Sequence, residues 1–493
     1  MAEWSVLAVK DNDMAAEVTF EKLKKEYSNF TNPVVLVEVE GNPLNKSKAK
    51  LYVGNIEIEN TSGFEASIAS FVIYGCYNRQ NCAFEFKSIK KFVAIGSQVS
   101  ISVGYGSVAK EVFCGFISQV NFFFQEEENP GVRVTCMDVK GIMMANCYSK
   151  QMTAMSYSDA VNEIFSSELY SGMKERGVIK KLSITDTPDK QSLGGGALGG
   201  LSDAGGVGDL AGAAGGGASV PGVGGASVPG LGGSSGQATD KTVEMVAESD
   251  YEFVVKAAKK YNYEFFVSSG IVYFRKAKNY AQVLMEVSPA TGMKNVDVEY
   301  NVTGLVGEVE VRSTDVGKAE QIKNSVKLNN KLSKGKYASK LVKESSKVYI
   351  DPTADSKAEA GYRAEYLAED VAFRFGTMEA EFIGIPDLVP GRYIKLVDMG
   401  DPVNNLFYIT SVRHTMNAEQ GFSTRISAKA AGLGGSYSAG SSGGGLLGGA
   451  LGGAMEAANQ AMDAVDGAMD EMNDMTGGMA GDIISAGVSG LSL

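Results

Sequence analysis

The chain has 493 residues, a formal net charge of −12 and a sequence pI near 4.9. It contains one histidine, His414, which excludes zinc sites built on several histidines and leaves a nucleophilic triad only one possible base. The five cysteines are odd in number and form no CxxC pair, so we expect neither a disulfide framework, nor a metal, nor another cofactor. We expect no specific nucleic-acid binding from so acidic a chain.

The N-terminal residues 1–32 are predicted to form a helical segment. Helical spacing runs through residues 14–28, and Asn32-Pro33 ends it. The first residues lack a basic region followed by an apolar core, and no apolar run approaches 18 residues. We therefore expect no signal peptide and no transmembrane segment.

Residues 33–145 are predicted to form a first β-barrel. About seven short strand-like runs follow one another, and in one of them Val99, Ile101 and Val103 alternate with polar residues. This alternation is typical of a sheet with one buried face, and many short strands in series favour a barrel or sandwich.

Residues 146–284 are predicted to form an α/β domain. Ser156 or Ser158 could cap one helix, Ser249 could cap another, and a hairpin is predicted to turn at Ser269-Gly270. A glycine-rich insert, residues 193–237, interrupts this domain and repeats GASVPGVG as GASVPGLG. Such a composition predicts an unstructured loop, either a dispensable one or a contact to a neighbouring protein.

Residues 285–430 are predicted to form a second β-barrel that includes a helix at 354–376. The charged stretch at 323–340 is interpreted as a solvated loop or strand. Carboxylates on the predicted helix are interpreted as solvated surface, since no spacing singles out a glycosidase pair.

Residues 431–493 are predicted to be a glycine-rich linker followed by a methionine-rich amphipathic helix. A seam with alternating spacings of three and four comprises Met455, Ala458, Met462, Val465, Met469 and Met472. This pattern predicts a docking helix, or a weak helical bundle in an oligomer. An acidic tail without fixed structure is the alternative.

Several phrases of the sequence together resemble a known family. They are IGSQVSISVGYGSVAKEVFCGFISQVNFFF, VRVTCMDVKGIMM, SDYEFVVKAAKKYNYEFFVSSGIVYFRKA, IGIPDLVPGRYIKLVD and FYITSVRHTMNAEQGFSTRISA. In this order they resemble the late control protein D family of tail hub proteins, which is related to phage baseplate hubs and to the N-terminal part of VgrG spikes. The motif positions that carry the resemblance are Gly104, Tyr105, Gly106, Phe113, Gly115, Asp138, Pro390, Gly391 and His414.

The resemblance implies a mainly β fold with α+β regions, in which two tube-like barrels are joined by a small α/β region. It implies a non-enzymatic, structural baseplate hub, a homotrimer that adapts a sixfold tail tube to a threefold central spike. The motif residues then fix turns and packing, with no catalytic role. Implied partners are the tail tube protein and a separate spike protein, and a tape-measure protein or cargo for the methionine-rich helix. The implied place is a virion tail or injection particle assembled in the bacterial cytoplasm. The alternative is a tail-associated cell-wall hydrolase.

Overall fold

A computed structural model describes residues 5–7, 17–44, 51–125, 129–188, 243–278, 283–315, 318–333, 337–435 and 439–441. The fold is mainly β, with 45% strand and 22% helix, which confirms the predicted class. Among the described helices, none is long and apolar enough to cross a membrane.

The described strands and helices are these, in chain order. The strands are β1 (Ser5–Leu7), β2 (Pro33–Val39), β3 (Asn42–Pro43), β4 (Tyr52–Thr61), β5 (Ile68–Tyr74), β6 (Tyr77–Asn78), β7 (Ala83–Phe84), β8 (Gln98–Tyr105), β9 (Val108–Phe123), β10 (Gly131–Met137), β11 (Tyr148–Gln151), β12 (Lys181–Ile184), β13 (Glu244–Glu248), β14 (Tyr263–Ser268), β15 (Ile271–Lys276), β16 (Val283–Val287), β17 (Met293–Tyr300), β18 (Glu308–Asp315), β19 (Glu320–Leu328), β20 (Ser346–Ile350), β21 (Gly376–Ile383), β22 (Tyr393–Leu396), β23 (Asn405–Asn417), β24 (Gly421–Ala430) and β25 (Ala439–Ser441). The helices are α1 (Phe20–Glu26), α2 (Phe86–Ile89), α3 (Lys140–Met143), α4 (Tyr157–Phe165), α5 (Glu168–Glu175), α6 (Asp250–Tyr261), α7 (Tyr337–Lys343) and α8 (Lys357–Ala372).

One fourteen-stranded sheet contains strands from both predicted barrels. Its path is β17-β21-β24-β23-β4-β5-β10-β9-β8-β2-β3, with β1 beside β9, β22 beside β23 and β16 beside β22. The two halves meet where β4 pairs antiparallel with β23, from Ile56 opposite Met416 to Thr61 opposite Ser411. Their inward side chains share one hydrophobic core, to which both halves contribute.

The strand pairings of the described residues do not close 33–145 or 285–430 into a separate barrel. The physical reason is the pairing of β4 with β23, because each half satisfies an edge of backbone donors and acceptors with the other half. The expected pair of tube-like barrels is therefore one continuous sheet.

The α/β region packs a three-stranded sheet, β12-β15-β14, against helices around its own core. The predicted caps are confirmed: the Ser156 hydroxyl accepts from the backbone N–H of Asp159, and Ser249 forms a reciprocal capping box with Glu252. The predicted hairpin is also confirmed, and Gly270 has a φ of +82° at its turn.

A second sheet, β20-β18-β19-β25, lies outside the large one and packs on α8. Its contact is built from Val309, Val311 and Val326 on one side and small alanines of the helix on the other. The helix predicted at 354–376 is observed as α8, capped by Ser356. Of the helical segment predicted over 1–32, α1 is observed, but Ser5–Leu7 form a strand because they pair with β9. The first residues of the linker predicted from 431 include a strand, β25, which pairs with β19.

The glycine-rich insert 193–237 lies outside the described residues. The seam residues Met455, Met462, Val465, Met469 and Met472 also lie outside them.

Candidate functional site

The outward face of the large sheet is polar and carries both signs of charge. One row of opposed residues runs across five strands as Asn295, Glu381, Arg425, Arg413 and Glu59. The Arg413 guanidinium donates to Glu59 at 2.6 Å, and this bond raises the pKa of Arg413. Because this row contains two arginines flanked by two glutamates, it has no single-sign field that would select a polyanion.

The α/β region closes one end of this face and leaves a cleft of about 640 Å³ between them. The large sheet contributes Thr61 and Ser411, and the α/β region contributes Asn262, Glu264 and Lys278. Helix α8 supplies Glu369 and Asp370 to a third wall, and Phe373 directly follows the helix. This junction is where three separate parts of the chain meet.

A buried network joins the α/β region to the sheet behind this cleft. The Arg275 Nε donates to Glu264 at 2.5 Å, and its Nη2 donates to the Gly391 carbonyl at 2.7 Å. The Tyr408 hydroxyl on β23 donates to the other oxygen of Glu264. Burial, and then the Glu264 charge, raise the pKa of Tyr408 well above its ordinary value, so this phenol stays a donor. The network therefore holds the two parts in one orientation.

The second buried carboxylate of the cleft is also engaged. Lys278 Nζ lies 2.5 Å from Glu369 Oε1, and Asn262 donates to Glu369 Oε2 at 3.1 Å. The lysine also lies over the ring of Phe373, 4.6 Å from its centroid. Glu264 and Glu369 are thus held by cationic partners, an arrangement that favours a structural joint over a glycosidase pair.

Asp138, a motif position, anchors a second joint beside the first. Its carboxylate accepts from the backbone N–H groups of Ser67 and Lys140, each at 2.8 Å. Lys140 is fully buried, and its ammonium donates to the carbonyls of Gly63 and Glu65. Burial raises the pKa of Asp138 and lowers that of Lys140. The pair holds the turn between β4 and β5 in place.

The motif glycines of the first half lie where a side chain has no room. A Cβ on Gly104 would lie 2.1 Å from the Val108 carbonyl oxygen, and one on Gly115 would lie 2.2 Å from that of Met137. Gly106 has a φ of +58° in the turn between β8 and β9. Of the two aromatic positions, Tyr105 donates from its buried hydroxyl to the Gly384 carbonyl at 2.8 Å, and Phe113 is buried in the core.

Pro390 and Gly391 form the turn that meets Arg275. Gly391 has a φ of +81°, and a Cβ there would lie 2.8 Å from the Phe266 ring. His414 is buried on β23, and its Nδ1 lies 2.9 Å from the Thr424 hydroxyl. Burial lowers the pKa of His414 to about 3, so the ring is neutral near pH 7. Within the described residues, no group of three or more His, Cys, Asp and Glu side chains is arranged to hold a metal.

The sequence reasoning missed a cluster of aromatic residues at the far end of β9, which we call the aromatic rim. Its members are Tyr77, Phe84, Phe122 and Phe124, whose neighbouring ring centroids lie 5.1–5.3 Å apart. Phe122 is 43% exposed and Phe124 is 61% exposed. The run Phe122–Phe124 was the available signal, because three successive apolar residues place aromatic rings on both faces of a strand.

The network of Glu264, Arg275 and Tyr408 was also missed. No local pattern reveals it, because Glu264 and Tyr408 are 144 positions apart.

Comparisons with known proteins give the fold. A family model described as Alg8 N-terminal domain matches residues 234–418, which is less than half of the chain. No curated protein matches the chain. Among solved structures, a tail protein from Neisseria meningitidis MC58 is 12% identical, with 82% of this chain and 98% of that chain covered and a TM-score of 0.53. The 43 kDa tail protein of prophage MuSo2 from Shewanella oneidensis is 11% identical, with coverages of 80% and 98% and a TM-score of 0.50. This chain therefore has the fold of these two tail proteins across about four fifths of its length.

Proposed function

We propose that the chain is the structural baseplate hub of a contractile tail or injection system. The observation that carries this proposal is the fold, which matches two tail proteins over nearly their whole length. The motif positions support it, because Gly104, Gly115, Asp138 and Gly391 serve close packing and buried joints. In this proposal the hub is assembled in the bacterial cytoplasm and becomes part of the particle.

The hub is a homotrimer that binds the tail tube on one side and a separate spike protein on the other. Three copies with two strand blocks each present six blocks around one axis, which suits a sixfold tube and a threefold spike. The pairing of β4 with β23 supports this role, because it fixes the orientation of the two blocks within each copy. The exposed aromatic rim also supports assembly, since clustered exposed apolar residues mark interaction surfaces.

The hydrolase alternative gains no support from the residues that it would need. His414, the one histidine of the sequence, is enclosed between strands, and the two buried carboxylates of the cleft are paired with cations. We therefore propose a non-enzymatic role.

The mass of the assembled protein tests the proposal. The full chain of 52.0 kDa is measured by native mass spectrometry, alone and after co-expression with candidate tube and spike proteins. We expect three copies, and a complex of these with six tube subunits and one spike trimer. A strict monomer that joins neither protein overturns the hub, and clearing of a cell-wall suspension by the same sample favours the hydrolase.

A further inference from the structure

The segment from β19 to β20 carries a strong local excess of positive charge in an acidic chain. Residues 318–347 contain nine lysines and two glutamates. Lys323 and Lys327 on β19 and Lys340 and Lys343 on α7 are exposed, and no ion pair joins any of them to another described residue. These four ammonium groups therefore have no ion-pair partner among the described residues, and Glu308 lies opposite Lys327 on the neighbouring strand.

Apolar side chains accompany these lysines. Tyr337 and Leu341, one turn apart on α7, are 84% and 75% exposed, and Ile350 on β20 is 84% exposed. Val348 and Ile350 point away from α8, because their partners on β18 are Glu310 and Arg312, whereas Val309 and Val311 face the helix. Lys323 and Lys327 share this outward face, since they pair with Arg312 and Glu308. Helix α7 lies on the α8 side of this sheet, because Ala338 and Val342 pack in the cluster of Val371 and Phe375. We call the outward residues Lys323, Lys327, Val348 and Ile350 the lysine surface.

The C-terminal segment has the complementary composition. Residues 431–493 contain seven carboxylates and no lysine or arginine. Asp463, Asp466 and Asp470 each directly follow a residue of the apolar seam, so a helix would present an acidic stripe beside an apolar one.

The chain enters this segment at the lysine surface itself. The last described strand, β25, pairs with β19, so the chain leaves the structure at Ser441 on the edge of the second sheet. Only three strand spacings, about 14 Å, separate β25 from β20. The 14 residues to Met455 can span up to about 46 Å. The seam can therefore reach the lysine surface of its own chain.

We propose that residues 455–474 dock on the lysine surface of the same chain, with the methionine seam on Val348 and Ile350 and the carboxylates beside Lys323 and Lys327. The short tether gives an effective concentration in the millimolar range, so a weak contact suffices. Methionine suits an irregular apolar surface of this kind, because its side chain is unbranched and adaptable. The docking is independent of the proposed hub role.

Zero-length carbodiimide cross-linking of the full chain tests the docking directly. Isotopically labelled and unlabelled chains are refolded together, so that the masses of cross-linked peptides separate links within one chain from links between chains. We expect amide links from Asp463, Asp466 or Asp470 to Lys323 or Lys327, within single chains. Links between chains assign the surface to a second copy and overturn the proposal, as does a yield no higher than at the exposed lysines Lys24 and Lys25.

Matched variants of the full chain provide a second readout by hydrogen exchange. The triple variant Met462→Ser, Val465→Ser and Met469→Ser is expected to raise exchange in residues 346–350 by about threefold or more. The control Ala461→Ser, Ala464→Ser and Ala468→Ser makes the same number of changes off the seam and should leave exchange unchanged.

Charge reversal tests how much the lysine–carboxylate contacts contribute to the docking, apart from the methionine seam. The double variant Lys323→Glu and Lys327→Glu, and separately 1 M salt, should reproduce the effect of the seam variant, because salt screens exposed charges within about 3 Å. The control Lys24→Glu and Lys25→Glu makes the same charge change on α1 and should have no effect. Equal exchange in all variants overturns the proposal, and so does displacement of the cross-links by a DNA oligonucleotide, which would assign the lysines to nucleic acid.

Discussion

At the scale of single residues, His414 shows how one buried polar side chain can report on the folded state. It lies on β23, opposite Thr424 of β24, with one ring nitrogen at the threonine hydroxyl. Because burial disfavours the charged ring, the folded state holds His414 neutral down to a pKa of about 3, whereas an unfolded histidine titrates near about 6.5.

This difference predicts a stability loss on acidification. Below pH 6.5 the unfolded chain binds a proton at His414 and the folded chain does not, so the free energy of unfolding falls as the pH falls. Between pH 7 and pH 5, the protonation of His414 in the unfolded chain lowers the free energy of unfolding by about 2 kcal/mol. Urea unfolding of the wild type and of His414→Gln at both pH values checks it. The carboxylates are common to both proteins, so equal losses in the two would show that His414 is protonated in the folded state.

At the scale of elements, the hairpin of β8 and β9 depends on a close backbone approach. Gly104 lies opposite Ala109, and the missing side chain makes room for the carbonyl of Val108. The strands of this hairpin are central in the large sheet, so neither can move away without disturbing its other neighbour.

Two glycine substitutions should therefore have opposite effects. Gly104→Ala is expected to lower the free energy of unfolding by about 2–3 kcal/mol, because backbone atoms would have to shift. Gly172→Ala lies in α5, where a Cβ meets nothing within 4 Å, and is expected to be neutral or to stabilise by up to about 1 kcal/mol. Thermal unfolding of both variants measures the contrast, and an unaffected Gly104→Ala protein would contradict the packing argument.

At the scale of the whole molecule, the continuous sheet joins two halves that the chain keeps far apart in sequence. β4 and β23 are separated by more than 300 residues, and a single hydrophobic core extends across their pairing. Destabilising one half therefore exposes the core of the other.

This coupling predicts one cooperative transition for both halves. Ile101→Ala in β8 and Ile426→Ala in β24 truncate the same side chain at fully buried positions. Each is expected to lower the free energy of unfolding by about 2–5 kcal/mol. Calorimetry at fixed protein concentration should show both variants shifting the same peak, and hydrogen exchange should rise in both halves. Two separate transitions, each shifted by one variant, would indicate independent barrels.

The sequence by itself determined the local elements. Alternation in residues 98–103, the Ser249–Glu252 spacing and Ser269-Gly270 each lie within a short window, and the corresponding strand, capped helix and hairpin are observed. The tertiary structure alone decided that the two strand blocks join through β4 and β23, and that Glu264, Arg275 and Tyr408 form one network. The physical reason is that periodicity and capping act between residues a few positions apart. The choice of a strand partner or a buried ionic partner is instead a competition among distant segments, settled only when the whole core is packed.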